Sequence, residues 1–270
     1  MQIPTPIDGF VKAGGRRLEV RRFPATRPGV PPMVLLHEGL GSIGLWRDTP
    51  EKLAAATGGE VVVYSRQGYG RSEPPQGPRG LDYLHREALD VLPELLDRLG
   101  IERPVLVGHS DGGSIALIHA AHAADGRGAA RPPAGLIVEA AHVFVEDVTL
   151  AGIRDAVAAY RTTPLRDRLA RYHDDVDHVF HAWADTWLSP PFRDWNIEAL
   201  LPRIACPILV IQGDRDEYGT PAQVEAIAAQ VSGPARTFLV PDCGHTPHRE
   251  RADAVLPAMA AFIRELEDRR

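Results

Sequence analysis

Ser110 lies in Gly108-His109-Ser110-Asp111-Gly112, directly after the apolar run Val105-Leu106-Val107 and just before a helical pattern opening at Ser114-Ile115-Ala116-Leu117. A Gly-x-Ser-x-Gly segment between a strand and a helix puts its serine on a cramped turn. Side chains at 108 and 112 would collide there with the neighbouring strand and helix. The hydroxyl is lifted clear of the sheet to a helix N-terminus, where backbone N–H groups favour a developing oxyanion. This is the setting of a nucleophilic serine; the plainer alternative is a glycine-rich turn with a capping serine. A hydroxyl attacks only when a base takes its proton. His245 supplies one, in the loop Pro241-Asp242-Cys243-Gly244-His245 after the run Thr237–Val240. A buried imidazole in turn needs a carboxylate to hold its tautomer and stabilise its cation. Gln212-Gly213-Asp214-Arg215-Asp216 offers two, Asp214 and Asp216, so the chain order is Ser, Asp, His. His248 reads as a surface or packing histidine.

The elements that must position these groups alternate along the chain. A hairpin is expected from Phe10–Ala13 and Arg17–Arg21 across Gly14-Gly15, a pair suited to positive φ. Apolar, β-branched runs follow at 33–36, 61–64, 105–107, 136–138, 208–211 and 237–240. Such non-alternating runs suit strands buried on both faces of a parallel sheet. Residues 82–99 place Leu84, Ala88, Leu92, Leu95, Leu96 and Leu99 on one helical face, with a kink expected at Pro93 and a C-cap at Gly100. Residues 114–123 and 251–266 give further helical patterns. Strand–helix alternation implies an α/β protein with a doubly wound, mostly parallel sheet. Between about 144 and 200 the rhythm stops, and no buried-strand run occurs while Trp183, Trp187 and Trp195 cluster; a helical insertion is expected there.

Composition narrows the function. The 270 residues carry a formal charge of −6, and 28 of the 30 basic residues are arginines scattered among acids, so no basic footprint for nucleic acid exists. Two cysteines, Cys206 and Cys243, make neither a disulfide framework nor a four-ligand zinc site. His178 and His181 lack a third metal ligand. The first ten residues show no secretion signal and no run of about 18 apolar residues occurs, so the expected setting is cytoplasmic, away from membrane.

From its first strand to its last helix the chain resembles the α/β-hydrolase-fold serine hydrolases. The resemblance implies that the acid lies three residues after the glycine ending its strand, which selects Asp216 over Asp214. It also matches Gly244-His245-Thr246-Pro247-His248-Arg249-Glu250 to the catalytic-histidine loop. By the same resemblance the backbone N–H groups of Gly39 and Asp111 form the oxyanion hole, Gly39 lying in Leu36-His37-Glu38-Gly39. Glu38 stands where the family usually has glycine; a carboxylate beside an oxyanion is unfavourable, so its side chain is expected to point away or to be bonded by arginine or backbone. Ser65-Arg66-Gln67-Gly68-Tyr69-Gly70-Arg71-Ser72 resembles the family's Asp-x-x-Gly-x-Gly-x-Ser turn, with serine in place of the aspartate.

In this fold an insertion after the sixth strand caps the serine, giving a core of 1–143 and 201–270 and a cap of 144–200. Residues 144–198 hold ten acids and six arginines, which disfavours an acyl-CoA ligand with its phosphates. Trp183 and Trp187 line an acyl or aromatic pocket on one reading and pack the cap on its base on another; His142 and Glu38 are further candidate substrate contacts. The expected activity is a carboxylesterase that cleaves a small or medium ester through an acyl-enzyme on Ser110, with no metal or organic cofactor. A carbon–carbon hydrolase of ring-cleavage products and a lactonase are the alternatives, and a non-catalytic ligand receptor is a further one. Dehalogenases and epoxide hydrolases of this fold use an aspartate at the position of Ser110. The expected partner is a small-molecule ester, with room left for a homodimer.

Overall fold

The computed structural model describes residues 4–123 and 131–267. Eight strands form one sheet: β1 (Ile7–Ala13), β2 (Arg16–Phe23), β3 (Met33–Leu36), β4 (Val61–Tyr64), β5 (Val105–His109), β6 (Gly135–Glu139), β7 (Ile208–Gly213) and β8 (Ala235–Val240). Their order is β1-β2-β4-β3-β5-β6-β7-β8. β1 and β2 form an antiparallel hairpin closed by Gly14 and Gly15, both at positive φ (58° and 71°), and β2 runs antiparallel to β4. All later pairings are parallel.

The unbroken apolar runs follow from burial on two faces. Val34, Leu36, Leu106, Leu136, Val138, Ile208 and Val210 face one core, shared with α3 (Leu92–Leu99), α4 (Asp111–Ala123) and α8 (Ala222–Gln230). Met33, Leu35, Val105, Val107, Ile137, Leu209 and Ile211 face the other, beneath α1 (Thr49–Thr57) and α10 (Ala252–Glu267). The period-2 alternation of side chains divides each run between these two cores. β8 departs from the expectation for a doubly buried strand. It is the sheet edge, and Leu239 is 46% exposed.

The helix expected over 82–99 is interrupted. After α2 (Tyr83–Arg86) a π-helical turn spans Glu87–Val91, and Pro93 falls in the first turn of α3. Arg86, Val91 and Leu92 keep helical dihedrals, so the helix runs on through Pro93, which has no N–H to donate into the irregular turn directly ahead of it. Gly100 caps the helix at φ 70°. Between β6 and β7 stand α5 (Asp147–Thr162), α6 (Leu165–Leu169) and α7 (Val176–Trp187), followed by 3-10 turns at Pro190–Asp194 and Glu198–Arg203. The two ends of this stretch meet at a Phe144–Asn196 bridge and at Ile197 N–H donating to Val143 O, 2.8 Å. Two helices remain, α9 (Pro247–Glu250) after β8 and α10 behind it. Among the described residues no helix is long and apolar enough to cross a membrane.

The centre and edge of the sheet differ enough to test. Leu106→Ala in β5 removes a fully buried side chain and should cost about 2–5 kcal/mol, whereas Leu239→Ala on β8 should stay within about 0.5 kcal/mol. Thermal unfolding of the two variants checks the contrast.

Candidate active site

The turn at Ser110 is set by contacts too close for side chains. A Cβ on Gly112 would overlap the Leu36 carbonyl oxygen, one on Gly108 would overlap the Gly112 carbonyl, and one on Gly113 would sit 2.6 Å from Ala141 Cβ. With β5 and α4 packed this tightly, Ser110 takes φ 52°, a left-handed conformation that L-residues adopt only when the surroundings enforce it. Its N–H donates to Glu139 O at 2.8 Å, and its carbonyl accepts from the N–H groups of Gly113 and Ser114 at the start of α4. Ser110 is 8% exposed.

His245 and Asp216 meet on the loops after β8 and β7. His245 Nδ1 lies 2.8 Å from Asp216 Oδ1, which also accepts from Tyr218 N–H at 2.8 Å. Burial would raise the Asp216 pKa, but the His245 charge and hydrogen bond outweigh it and the carboxyl is held below its ordinary value. Asp214 is placed elsewhere: it is exposed, and its Oδ1 accepts from Cys243 N–H at 3.3 Å. The histidine loop is strapped by two further acids. Glu250 accepts from Gly244 N–H (2.7 Å) and Thr246 N–H (3.0 Å), and Glu217 accepts from His245 N–H (3.2 Å). The Ser110 hydroxyl makes no hydrogen bond to His245 among the described residues; contacts of this kind commonly tighten only with substrate in place.

A buried guanidinium ties the loop after β3, which carries Gly39, to the start of α4 at Asp111. Arg66, just after β4, donates from Nη2 to Glu38 O at 2.8 Å, and Nη1 and Nη2 each lie 3.3 Å from Asp111 Oδ2. Tyr83 Oη donates to the same carboxylate oxygen at 2.9 Å. His37 completes the brace: Nε2 accepts from Arg66 N–H at 3.0 Å, so Nδ1 carries the proton and donates to Glu38 O at 2.7 Å. Burial, then the nearby Arg66 charge, keeps His37 neutral by lowering its pKa well below the usual value.

The Glu38 side chain turns to His109, with Oε2 at 3.5 Å from Nδ1. Trp183 covers Gly39 so closely that a Cβ there would overlap the indole. Trp187 donates from Nε1 to Tyr83 Oη at 2.9 Å, packs with Phe192, Trp195 and His142, and is 2% exposed. His142 is buried with its ring centroid 6.0 Å from that of His245, and its Nδ1 has no partner among the described residues. Burial, reinforced by the neighbouring His245, lowers its pKa to about 4, so it is a neutral imidazole at pH 7. His248 is a buried packing histidine, and Nδ1 lies 2.7 Å from Glu139 Oε2. Sequence reading did not find the Arg66–Asp111, Glu38–His109 and His248–Glu139 pairs. The only signal for the first was an acid at the start of an otherwise apolar helix, which needs a cation once buried. Among the described residues no cluster of His, Cys, Asp or Glu could hold a metal ion.

Removing the guanidinium leaves the Asp111 carboxylate buried and unpaired, so Arg66→Met should destabilise by about 3–5 kcal/mol, and Asp111→Asn in the same background should recover part of the loss. Chemical denaturation of the two variants measures both.

A family model described as the alpha/beta hydrolase family matches residues 33–258. The human serine hydrolase BPHL is 31% identical over 202 residues, 72% of this chain and 65% of that protein, so this chain spans just under two thirds of that relative. Epoxide hydrolase A of Mycobacterium tuberculosis is 28% identical over 97% of this chain and 98% of its own length. Among solved structures, the 2-hydroxy-6-oxo-6-phenylhexa-2,4-dienoate hydrolase of Rhodococcus sp. strain RHA1 superposes with a TM-score of 0.81 at 20% identity, over 96% of this chain and 99% of that one. With the family model covering most of its length, the chain belongs to the alpha/beta hydrolase family.

Proposed function

We propose that the protein is a serine hydrolase acting on a small or medium carboxylic ester. The observation that carries this reading is the His245–Asp216 pair at 2.8 Å on the loops after β8 and β7, at the same sheet edge as a serine held at φ 52° after β5. Ser110 Oγ attacks the ester carbonyl while His245 Nε2 takes its proton; Asp216, on Nδ1, orients the ring and stabilises the imidazolium. The tetrahedral oxyanion sits against the Gly39 and Asp111 N–H groups, each such donor being worth roughly 3 kcal/mol in the transition state. Collapse of the intermediate breaks the bond to the alcohol, which leaves with the proton from His245. Water, deprotonated by the same histidine, then releases the acid from Ser110.

Residues 144–200 act as a cap on the core formed by 1–143 and 201–270. Trp183, over Gly39, and His142, with a buried ring nitrogen lacking a partner, are the substrate contacts this arrangement favours. A serine at the elbow speaks against epoxide hydrolysis by an alkyl-ester intermediate, although one relative carries that name. Carbon–carbon hydrolysis is the second reading, favoured by the fold match to a dienoate hydrolase, and lactone hydrolysis uses the same groups.

Kinetics on a p-nitrophenyl ester series test the proposal. Wild type should turn over, Ser110→Ala should lose roughly a thousandfold or more, and Asp216→Asn should lose a comparable factor through the wrong histidine tautomer. Inert wild type on every ester, with turnover of a ring-cleavage dienone, would move the assignment to the second reading.

A further inference from the structure

Both ring nitrogens of His109 face acceptors. Nε2 lies 2.7 Å from the His245 carbonyl oxygen, while Nδ1, buried and without a hydrogen-bond partner, faces Glu38 Oε2 at 3.5 Å. A neutral imidazole has one N–H and one lone pair, so in either tautomer one of these contacts would oppose two electron-rich atoms. With Glu38 ionised, only the doubly protonated ring suits both. Glu38 directly precedes Gly39, whose amide is one of the two proposed oxyanion donors. A carboxylate left uncompensated there would oppose the charge that develops on the substrate.

We propose that His109 is an imidazolium that neutralises Glu38 beside the oxyanion hole, a positioning residue without which the Glu38 charge suppresses the reaction of Ser110. The proposal rests on the serine-triad reading above and adds to it a charge condition on the hole.

The groups facing His109 are consistent with a cation. Glu38 approaches from the loop after β3, and Glu139 is its cross-strand neighbour on β6. His248, from α9, lies with its ring centroid 5.1 Å away and is itself paired with Glu139; the His245 ring is 5.2 Å away. Trp46 closes the remaining side at 6.3 Å. Burial alone would lower the His109 pKa, but Glu38, then Glu139 and the His245 carbonyl, raise it to about 9. Glu38 is conversely held well below the carboxylate range: burial works against this, and His109 and His37 overcome it. A raised histidine pKa stabilises the fold below the ordinary histidine value and is lost as pH rises through about 9. A depressed carboxylate pKa stabilises it above the ordinary carboxylate value and is lost only in strong acid. The pair is therefore intact across the neutral range, and its alkaline limit belongs to His109.

A fluorophosphonate probe tests this without knowledge of the natural substrate. Ser110 Oγ forms the new bond to phosphorus, the P–F bond breaks, fluoride leaves and the serine proton passes to His245; the phosphoryl oxygen occupies the oxyanion hole. Labelling rates are read from pH 6 to 10.5. Wild type should slow as pH rises through about 9. His109→Gln keeps an N–H for the His245 carbonyl but no charge, and should be labelled about tenfold more slowly at pH 7.5. Adding Glu38→Gln to that variant should recover most of the rate, and Glu38→Gln alone should lose the slowing near pH 9. Recovery on removing a second side chain is not what loss of a merely structural histidine would give. His109→Gln labelled as fast as wild type, or a double variant no faster than His109→Gln, would overturn the proposal. Nitrogen-15 NMR of the wild-type histidines needs no variant: both His109 ring nitrogens should be protonated at pH 8, and a neutral ring there would overturn it equally. Labelling that persists in Ser110→Ala is a separate outcome, which would overturn the triad reading and this proposal with it.

Discussion

The close approach of β5, α4 and β3 around Ser110 is the constraint from which the rest of the site follows. Gly108 has no room for a side chain against the Gly112 backbone, nor Gly112 against the Leu36 carbonyl. The strand must therefore turn abruptly into the helix, and the serine between them is driven to a positive φ. That one turn places Ser110 at the C-terminal end of β5, starts α4 behind it and leaves the Asp111 amide at the helix N-terminus. The strain is carried by a sheet whose central strands are buried on both faces, so it has nowhere to relax.

The elbow brings an unusual amount of charge indoors. Asp111, beside the nucleophile, is held by Arg66 and Tyr83, and the same guanidinium reaches the carbonyl of Glu38. Arg66 thus ties the loop after β3 to the start of α4, the two segments that carry the proposed oxyanion donors. Around the other side, Glu38, His109, His248 and Glu139 form paired contacts under the histidine loop, and Glu250 and Glu217 hold its backbone. Hydrogen bonds to charged groups are stronger than neutral ones, and a buried network fixes geometry tightly when each member has a partner. Orphaned atoms remain at Asp216 Oδ2 and His142 Nδ1, both beside His245, and within the network at Arg66 Nε, Asp111 Oδ1, His109 Nδ1 and Glu139 Oε1.

The parts legible in the sequence share one property: they depend on neighbours along the chain. The Gly-x-Ser-x-Gly turn, the hairpin at Gly14-Gly15, the apolar runs and the Gly100 cap are local signals, and the structure has each element within a few residues of where the pattern places it. Choosing Asp216 over Asp214 needed the family's spacing, since both acids follow the same strand. What local patterns could not show were pairings between distant segments. Arg66 and Asp111 are 45 positions apart, and His248 and Glu139 are 109 apart. The tryptophans illustrate the limit from the other direction. Their spacing puts Trp183 and Trp187 on one helical face, yet Trp183 meets Gly39 while Trp187 turns its N–H to Tyr83. Pro93 marked the disturbed helix, but its form, a π turn over Glu87–Val91 just ahead of the proline, had no local signal.

The central claim is that Ser110 itself becomes acylated. Peptide mapping by mass spectrometry, after acid quench of the protein reacting with a p-nitrophenyl ester, tests it most directly. The account predicts a mass increase equal to the acyl group on the peptide containing Ser110, localised to that serine and absent from Ser110→Ala. An ester that is cleaved while Ser110 stays unmodified, or an acyl group found on another side chain, would contradict it.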